Sequence, residues 1–196
     1  MLNFEKKLEE LQNYIQSYFK VSKEHLQQIA QLFEEEELQK GNYFIKTGQY
    51  CKKLSFVKEG IIRVFANTEQ KEVTQWIGAK GFFLTDLYSF TFDQKARWNM
   101  QALTDCKLYT IHKKNYDLLH TIVPTWTAIE KECIAGCFVM LENRVFNHLS
   151  LNAEERYDQF FESNKELFHQ VPLHYLASML GMSAETFSRI RNKKKS

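Results

Sequence analysis

Residues 173–191, LHYLASMLGMSAETFSRIR, read as two short helices joined by a tight turn. A helix–turn–helix motif needs a small residue where its two helices touch and a glycine in the turn. With residue 173 as the first position of the motif, Ala177 is the fifth and Gly181 the ninth, which are these two places. The other contact positions of the motif are all apolar, namely Leu176, Leu180, Met182, Phe187 and Ile190. Because seven positions agree at fixed spacing, we predict a helix–turn–helix rather than an ordinary helical hairpin.

The second helix of this motif is predicted to begin after Ser183, whose hydroxyl can cap it, and to enter the DNA major groove with its N-terminal end first. A Glu can accept from the cytosine amino group, and an Arg can bind guanine O6 and N7 in bidentate fashion. Basic residues beyond these lie where phosphates run, so they add affinity without sequence information. The predicted DNA-contacting residues are Ser183, Ala184, Glu185, Thr186, Ser188, Arg189, Arg191, Lys193, Lys194 and Lys195.

Positive charge is concentrated at the same end of the chain. The formal net charge is only +2, from 26 Lys and Arg and 24 Asp and Glu. Residues 189–196 hold five of the basic residues and no acid, so the rest of the chain is slightly negative. Basic ends are commonly no more than solvated tails. The motif, rather than the charge, therefore carries the prediction that double-stranded DNA is bound.

The composition is that of a folded, core-forming chain, with 44% hydrophobic residues and 16 Phe. No run of about 18 apolar residues occurs, and the first residues lack the apolar segment of a signal peptide. We therefore expect a cytoplasmic protein with no membrane association. The cysteines fit no zinc spacing and are expected to be buried small hydrophobic residues rather than redox or metal ligands. They are Cys51, Cys106, Cys133 and Cys137.

Two kinds of pattern fill the first 123 residues. The first forty residues are predicted to be helical, with the acidic run 34–37 on a solvated face. Beyond residue 41 the segments are short, aromatic and punctuated by glycine, which indicates an antiparallel β-roll or sandwich. The apolar segments 54–57 and 61–65 flank Lys58-Glu59-Gly60 and are predicted to form a hairpin there. The fold class is therefore α+β.

Residues 124–150 are predicted to form one long helix that begins at Pro124, a residue suited to the first turn. This helix has two apolar stripes, where a surface helix usually has one. One stripe comprises Trp126, Ile129, Cys133, Cys137 and Met140, and the other comprises Ile134, Phe138, Leu141, Val145 and Leu149. Two stripes indicate two packing partners, the β-roll of the same chain and a second copy of the helix; burial on two sides within one subunit is the alternative. The predicted dimer interface comprises Trp126, Ile129, Cys133, Ile134, Cys137, Phe138, Met140, Leu141 and Val145. Asn152, with Glu155 three residues on, predicts a capping box at the start of the next helix.

Helices, β-roll, long helix and helix–turn–helix, in that order, resemble the Crp/Fnr family of bacterial transcription regulators from about Glu24 onward. The residues that carry the resemblance are Lys40-Gly41, Gly48, Glu59-Gly60, Gly81, Gly181 and the run SAETFSRI at 183–190. The segment LSLNAEERY at 149–157 is similar to a branch common in Bacteroidetes-type bacteria. The resemblance implies a homodimer on a two-fold DNA site, with RNA polymerase as a further partner. It implies a cyclic-nucleotide-binding-like sensory domain (1–123), a dimerisation helix (124–150) and a DNA-binding domain (151–196).

The chain departs from the family pattern at its presumed ligand site. Members that bind cyclic AMP carry Gly-Glu-Leu and then Arg-Ser, because the cyclic phosphate needs an Arg and backbone N–H donors. The residues at the corresponding places here are Thr85, Asp86, Leu87, Arg97, Trp98 and Asn99. We therefore expect a ligand other than cyclic AMP, or none, and no cofactor. Members with an iron–sulfur cluster hold it through N-terminal cysteines, and none precedes Cys51 here.

Two further departures concern the DNA-binding end. Ala184 stands where the family often has Arg, so one base contact is expected to be missing. The sequence after the second helix is short, so we expect no full β-hairpin wing.

Two other classes of protein are alternatives to a DNA-binding regulator. A metalloenzyme of the cupin type needs a His-x-His pair, but no two of the six histidines are two residues apart. The chain is therefore not expected to be an enzyme or to hold a metal. The remaining alternative is a dimeric small-molecule or cyclic-nucleotide sensor that meets protein partners without binding DNA.

Overall fold

The computed structural model describes residues 2–194, with side chains from residue 8 onward. Lys195, one of the predicted DNA contacts, lies outside the described residues. The strands are β1 (Glu34–Leu38), β2 (Tyr43–Ile45), β3 (Lys53–Glu59), β4 (Ile62–Asn67), β5 (Glu72–Gly78), β6 (Phe83–Leu84), β7 (Asn99–Ala102) and β8 (Cys106–His112). The helices are α1 (Leu2–Phe19), α2 (Lys23–Ala30), α3 (Leu87–Phe92), α4 (Lys113–Asp117), α5 (Leu119–Ile122), α6 (Trp126–Ser150), α7 (Ala153–Ser163), α8 (Leu167–Gln170), α9 (Leu173–Met179) and α10 (Ala184–Lys193).

The strands form two antiparallel four-stranded sheets, in the orders β1-β8-β3-β6 and β2-β7-β4-β5. The inner faces of the two sheets bury a common core that includes Val57, Val64 and Leu108. Helices α1, α2 and α5 and the first turns of α6 cover the outer face of the first sheet around Phe56. The predicted fold class, an α+β chain with an antiparallel β-roll followed by helices, is confirmed.

The hairpin predicted at Lys58-Glu59-Gly60 is wrong, because β3 and β4 belong to different sheets. Gly60 has a φ of +94°. A Cβ atom added there would lie 2.5 Å from the carbonyl oxygen of Asp105. The segment therefore carries the chain from one sheet to the other beneath a neighbouring loop. A crossing and a hairpin call for the same turn residues, so the local pattern does not separate them.

The acidic run 34–37 is also not helical, because helix α2 ends at Ala30 and β1 begins at Glu34. Strand β1 is an edge of its sheet and pairs only with β8. Its carboxylates bind lysines of β3, with Glu36 2.5 Å from Lys53 Nζ and Glu35 2.7 Å from Lys58 Nζ. Charged side chains on an edge strand oppose pairing with another chain, and this role replaces the predicted solvated helix face.

Helix α6 is 25 residues long and begins two residues after Pro124. Trp126, at its first turn, is only 1% exposed and packs on Phe19 and Tyr116. Trp126 is therefore a core residue of its own subunit, and its assignment to a dimer interface is corrected. Ile129 and Cys133 lie half-buried against the same core. Phe138, by contrast, is 62% exposed on the other stripe, together with Ile134, Leu141 and Val145.

The C-terminal helices pack directly on the roll. Ile61 and Ile77 of the roll are buried in one hydrophobic cluster with residues of α7, α8, α9 and α10. The backbone N–H of Thr74 in β5 donates to Ser178 Oγ of α9 at 2.9 Å. The predicted capping box at the start of α7 is present, since the Asn152 side chain accepts from the Glu155 N–H and the Glu155 side chain accepts in return.

Among the described helices, α6 included, none combines the length and apolar character that a membrane crossing requires.

Candidate functional site

Helices α9 and α10 meet through the positions that a helix–turn–helix needs for contact. Ala177, Phe187 and Ile190 are buried between the two helices and α7. Gly181, in the turn, has a φ of +67°, a conformation that favours glycine. The Met182 N–H donates to the Ala177 carbonyl at 3.0 Å, which closes the end of α9. This packing gives α10 one face fixed to the protein and one face turned outward.

The outward face of α10 holds most of the predicted base-reading residues. Ser183 Oγ accepts from the Thr186 N–H at 3.1 Å, as predicted for a helix cap. Glu185 and Arg189 lie one turn apart and are both exposed. Ser183, Ala184 and Ser188 are exposed too, while Thr186 and Arg191 are half-buried.

The basic end of α10 is held against α7 by ion pairs. Lys193 Nζ lies 3.0 Å from Glu154, and Lys194 Nζ lies 2.8 Å from Asp158. These lysines also lower the pKa of the Glu154 carboxyl through hydrogen bonds. Solvent-exposed pairs of this kind are weak, so an anion from outside the chain can compete with these carboxylates for the lysines.

A cavity of about 490 Å³ lies between the roll, α1 and α6. It brings together five of the six residues predicted for a ligand: Thr85, Asp86, Leu87, Arg97 and Trp98. Asn99 does not line it, because the side chain is 8% exposed and accepts from the Thr47 N–H at 3.0 Å. Further walls of the cavity come from Tyr18, Cys133, Cys137 and Met140. Sequence reasoning placed the last three on one stripe of α6 but gave no sign that this stripe faces a cavity.

Asp86 places a buried carboxylate in the segment that corresponds to the Gly-Glu-Leu of members that bind cyclic AMP. Its side chain is 1% exposed and caps α3, with Oδ1 accepting from the Ser89 N–H at 2.9 Å. Oδ2 accepts from the Arg97 and Trp98 N–H groups at 3.0 and 3.3 Å. These two backbone N–H groups are thus already occupied and are not free to bind a cyclic phosphate. The Arg97 guanidinium lies 4.7 Å from the centre of the Tyr88 ring.

The cysteines divide into two pairs. Cys51 and Cys106 are buried, as predicted, and burial raises the pKa of the Cys106 thiol. Cys133 and Cys137 are half-buried at the wall of the cavity, so the prediction of buried small hydrophobic residues does not describe them. A hydrogen bond from Cys133 lowers the pKa of Cys137 to about 7, and the same bond raises the pKa of Cys133.

Within residues 2–194, one group of side chains has the spacing of metal ligands: Glu34, Glu36 and His112 on the edge of the first sheet. The Lys53 ammonium lies 2.5 Å from Glu36, and His112 Nε2 lies 2.7 Å from Glu34. An ion pair and a hydrogen bond within the protein therefore account for this cluster.

Residues 35–120 match the family model of the cyclic nucleotide-binding domain. The structure of FixK2 from Bradyrhizobium japonicum is similar over 82% of this chain and 83% of that chain, with a TM-score of 0.70 and 13% identity. The structure of the Catabolite Activator Protein of Thermus thermophilus is similar over 90% of this chain and 84% of that chain, with a TM-score of 0.57 and 18% identity. The structure of the c-di-GMP responsive global regulator CLP of Xanthomonas campestris is similar over 84% of this chain and 87% of that chain, with a TM-score of 0.62 and 15% identity. No curated protein sequence matches the chain. At these identities the structural likeness concerns the fold.

Proposed function

We propose that this chain, which contains a cyclic nucleotide-binding domain and has structural neighbours from the Crp/Fnr regulator family, is a homodimeric, sequence-specific DNA-binding transcription regulator. The observation that carries the proposal is that α10 has one face packed on the protein and one face exposed. Phe187 and Ile190 fix one side of the helix to the protein. Glu185 and Arg189 stand exposed on the other side, where their side chains match a cytosine amino group and a guanine edge.

The exposed stripe of α6 supports pairing of two copies. Ile134, Phe138, Leu141 and Val145 are large, apolar and exposed at spacings of four, three and four residues. Such spacing is typical of a coiled-coil seam, and contiguous apolar surface of this kind usually marks an interaction site. A symmetric pair joined there presents two copies of α10, and helix–turn–helix dimers bind half-sites about 34 Å apart.

The sensory role assigned to the roll does not involve a cyclic phosphate in this proposal. Asp86 already accepts from the Arg97 and Trp98 N–H groups, so these donors are not available to a cyclic phosphate, which needs an Arg together with backbone N–H groups. The cavity of about 490 Å³ is lined instead by aromatic and sulfur-containing side chains such as Trp76, Trp98 and Met140. A ligand taken up there is expected to be largely apolar.

The test is a selection of bound sequences from random duplex DNA with the purified, ligand-free protein. We expect a palindromic motif whose half-sites are about one helical turn apart. The enrichment of no motif by a folded dimer would contradict the proposal and favour a sensor that meets protein partners without touching DNA.

Arg189→Ala tests the docking of α10 on the selected site. We expect a loss of about 1–3 kcal/mol in binding free energy and relaxed specificity at one base pair of each half-site. The matched control is Arg97→Ala, which removes an exposed arginine of the roll and is expected to leave the motif unchanged. If Arg189→Ala bound every DNA site with the same affinity as the unaltered protein does, the proposed docking of α10 on the DNA would be refuted.

A further inference from the structure

A second cavity, of about 300 Å³, lies where β5, α6, α7 and the end of α9 meet. Three of its lining side chains are basic, namely Arg144, His148 and Arg156. Four more are neutral amides, and none of the described lining residues is Asp or Glu. We propose that this cavity binds a small anion of the phosphate class.

The guanidinium groups at this cavity have only neutral partners among the hydrogen bonds of the described residues. Arg144 Nη2 donates to the Met179 carbonyl at 3.2 Å. Arg156 donates through Nε to the Leu180 carbonyl at 3.0 Å and through Nη1 to the Leu151 carbonyl at 2.7 Å. Each guanidinium has five N–H donors, so donors remain on both side chains. Half-buried charges without a counter-charge are unfavourable, and an anion from solution removes that cost.

Nearby positive charge also affects the titration of His148. Burial, followed by the nearby Arg156 and Arg144, lowers the pKa of His148. An anion seated beside the two arginines would oppose their effect and shift the pKa of His148 upward.

The donor set of the cavity favours a phosphate-like anion. The cavity volume is at the lower end of the range of about 300–1,000 Å³ seen for ligand pockets, and it leaves room for such an anion together with water. Arginine forks bind phosphate in bidentate fashion, and side-chain amides such as those of Asn143 and Asn147 add further N–H donors. The Arg144 guanidinium carbon also lies 4.8 Å from the Trp76 ring centre, within the range of a cation–π contact.

A purely structural role for the two arginines accounts for only part of the arrangement. Cations at the C-terminal end of a helix are favoured by the helix dipole, and Arg144 and Arg156 do bind the carbonyls that end α9. That role does not explain why a third basic group lies among them without an acid. His148 also packs against the turn before α10, because a Cβ added to Gly181 would lie 2.3 Å from His148 Nε2. An anion bound here would therefore join α6 to the α9–α10 turn.

The experiment uses the full chain and inorganic phosphate, with potassium chloride at equal ionic strength as the reference. We follow the thermal unfolding midpoint and the His148 ring signal by NMR. We expect phosphate, and not chloride, to raise the unfolding midpoint in a saturable way and to raise the pKa of His148. No difference between phosphate and chloride in either quantity would overturn the proposal.

Substitutions test whether the phosphate response arises at this cavity. Asn147→Asp is nearly isosteric and supplies a carboxylate inside the cavity, so we expect it to abolish the phosphate response while keeping the fold. Arg156→Gln should abolish the response as well, and Lys71→Gln, at an exposed position outside both cavities, should not change it. A response that persists in both cavity variants would refute the site even if the protein binds phosphate elsewhere.

A parallel series replaces phosphate with a short duplex of unrelated sequence. If only the duplex shifts the His148 signal, the anion is a DNA backbone phosphate and the proposal of a free anion fails. The selection of DNA sequences is run without phosphate, so its outcome and that of the anion experiment are independent.

Discussion

At the scale of single residues, Asp86 joins parts of the β-roll that are distant in sequence. One carboxylate caps α3 and binds two backbone donors of the segment before β7. In Asp86→Asn, the amide nitrogen would face either the Ser89 N–H or the Arg97 and Trp98 N–H groups, leaving at least one of these donors without an acceptor. An unsatisfied buried donor costs about 1–3 kcal/mol, so we expect a loss of about 1–3 kcal/mol in the free energy of unfolding by urea.

Asp93→Asn is the matched control for that substitution. Asp93 is exposed, pairs with Lys52 and has a left-handed backbone that Asn tolerates. We expect little change in its unfolding free energy. Equal stability of the two variants would show that the Asp86 contacts contribute nothing.

Cys137 is the second residue with a specific expectation. Because the hydrogen bond from Cys133 lowers the pKa of Cys137 to about 7, its alkylation by iodoacetamide should rise with pH around a midpoint near 7. Thiolate, rather than thiol, is the reactive form. In Cys133→Ala, which removes the donor, we expect the midpoint to move upward toward about 8.5. Faster alkylation of Cys133 than of Cys137 in the unaltered protein, by peptide mass mapping, would contradict this assignment.

Residue roles that depend on neighbours in sequence were predictable, and those that depend on distant partners were not. The caps at Ser183 and Asn152 each follow from a polar side chain three residues before its N–H partner. The role of Asp86 depends on N–H groups 11 and 12 residues away, beyond a helix and a loop. The basic cluster around Arg156 joins residues of α6 and α7 to the end of α9, and no local pattern marks it.

At the scale of elements, the exposed stripe of α6 leads to a prediction about assembly. Phe138 is 62% exposed in the single chain, so Phe138→Glu should not disturb the fold of one subunit. In a seam between two copies, however, it places two carboxylates in an apolar contact without partners, which is strongly unfavourable. We expect a folded monomer by sedimentation and a large loss of affinity for the selected DNA.

Lys131→Glu, on an exposed position of the same helix, is the control for charge reversal and is expected to remain dimeric. If Phe138→Glu sedimented as the unaltered protein does, the seam would lie elsewhere.

Helices and strands were predicted well where apolar residues recur at a regular spacing over many residues. They were predicted poorly where pairing with a distant strand decides the local structure. The long helix was placed within two residues of its observed start, because two stripes repeat over seven turns. The run 34–37 became a strand because β8 offers it a partner over five residues, and pairing with a distant strand overrides the helix propensity of Glu. The crossing at Gly60 was taken for a hairpin for the same reason, since sheet membership is set by β6, β7 and β8 further along the chain.

At the scale of the whole molecule, the order of the units was predictable and their contact was not. The C-terminal helices share a buried cluster with Ile61 and Ile77 of the roll. They are also joined to the roll by Arg63, whose guanidinium lies between the rings of Phe65 and Tyr175, 4.1 and 3.7 Å from their centres. A signal that changes the roll therefore has a direct physical route to α9 and α10.

Tyr175→Ala tests this route. The ring covers a guanidinium that is only 2% exposed, and a desolvated cation–π contact contributes about 2 kcal/mol. We expect hydrogen exchange in α9 and α10 to accelerate by a factor on the order of 10, which corresponds to about 1.4 kcal/mol of local opening, while exchange in β3 and β8 stays unchanged. Tyr50→Ala removes a ring that is 52% exposed on the roll, and it should alter neither. If exchange in Tyr175→Ala accelerated equally in the roll and the C-terminal helices, the two parts would open only together, and the contact through Arg63 would not govern the placement of α10 by itself.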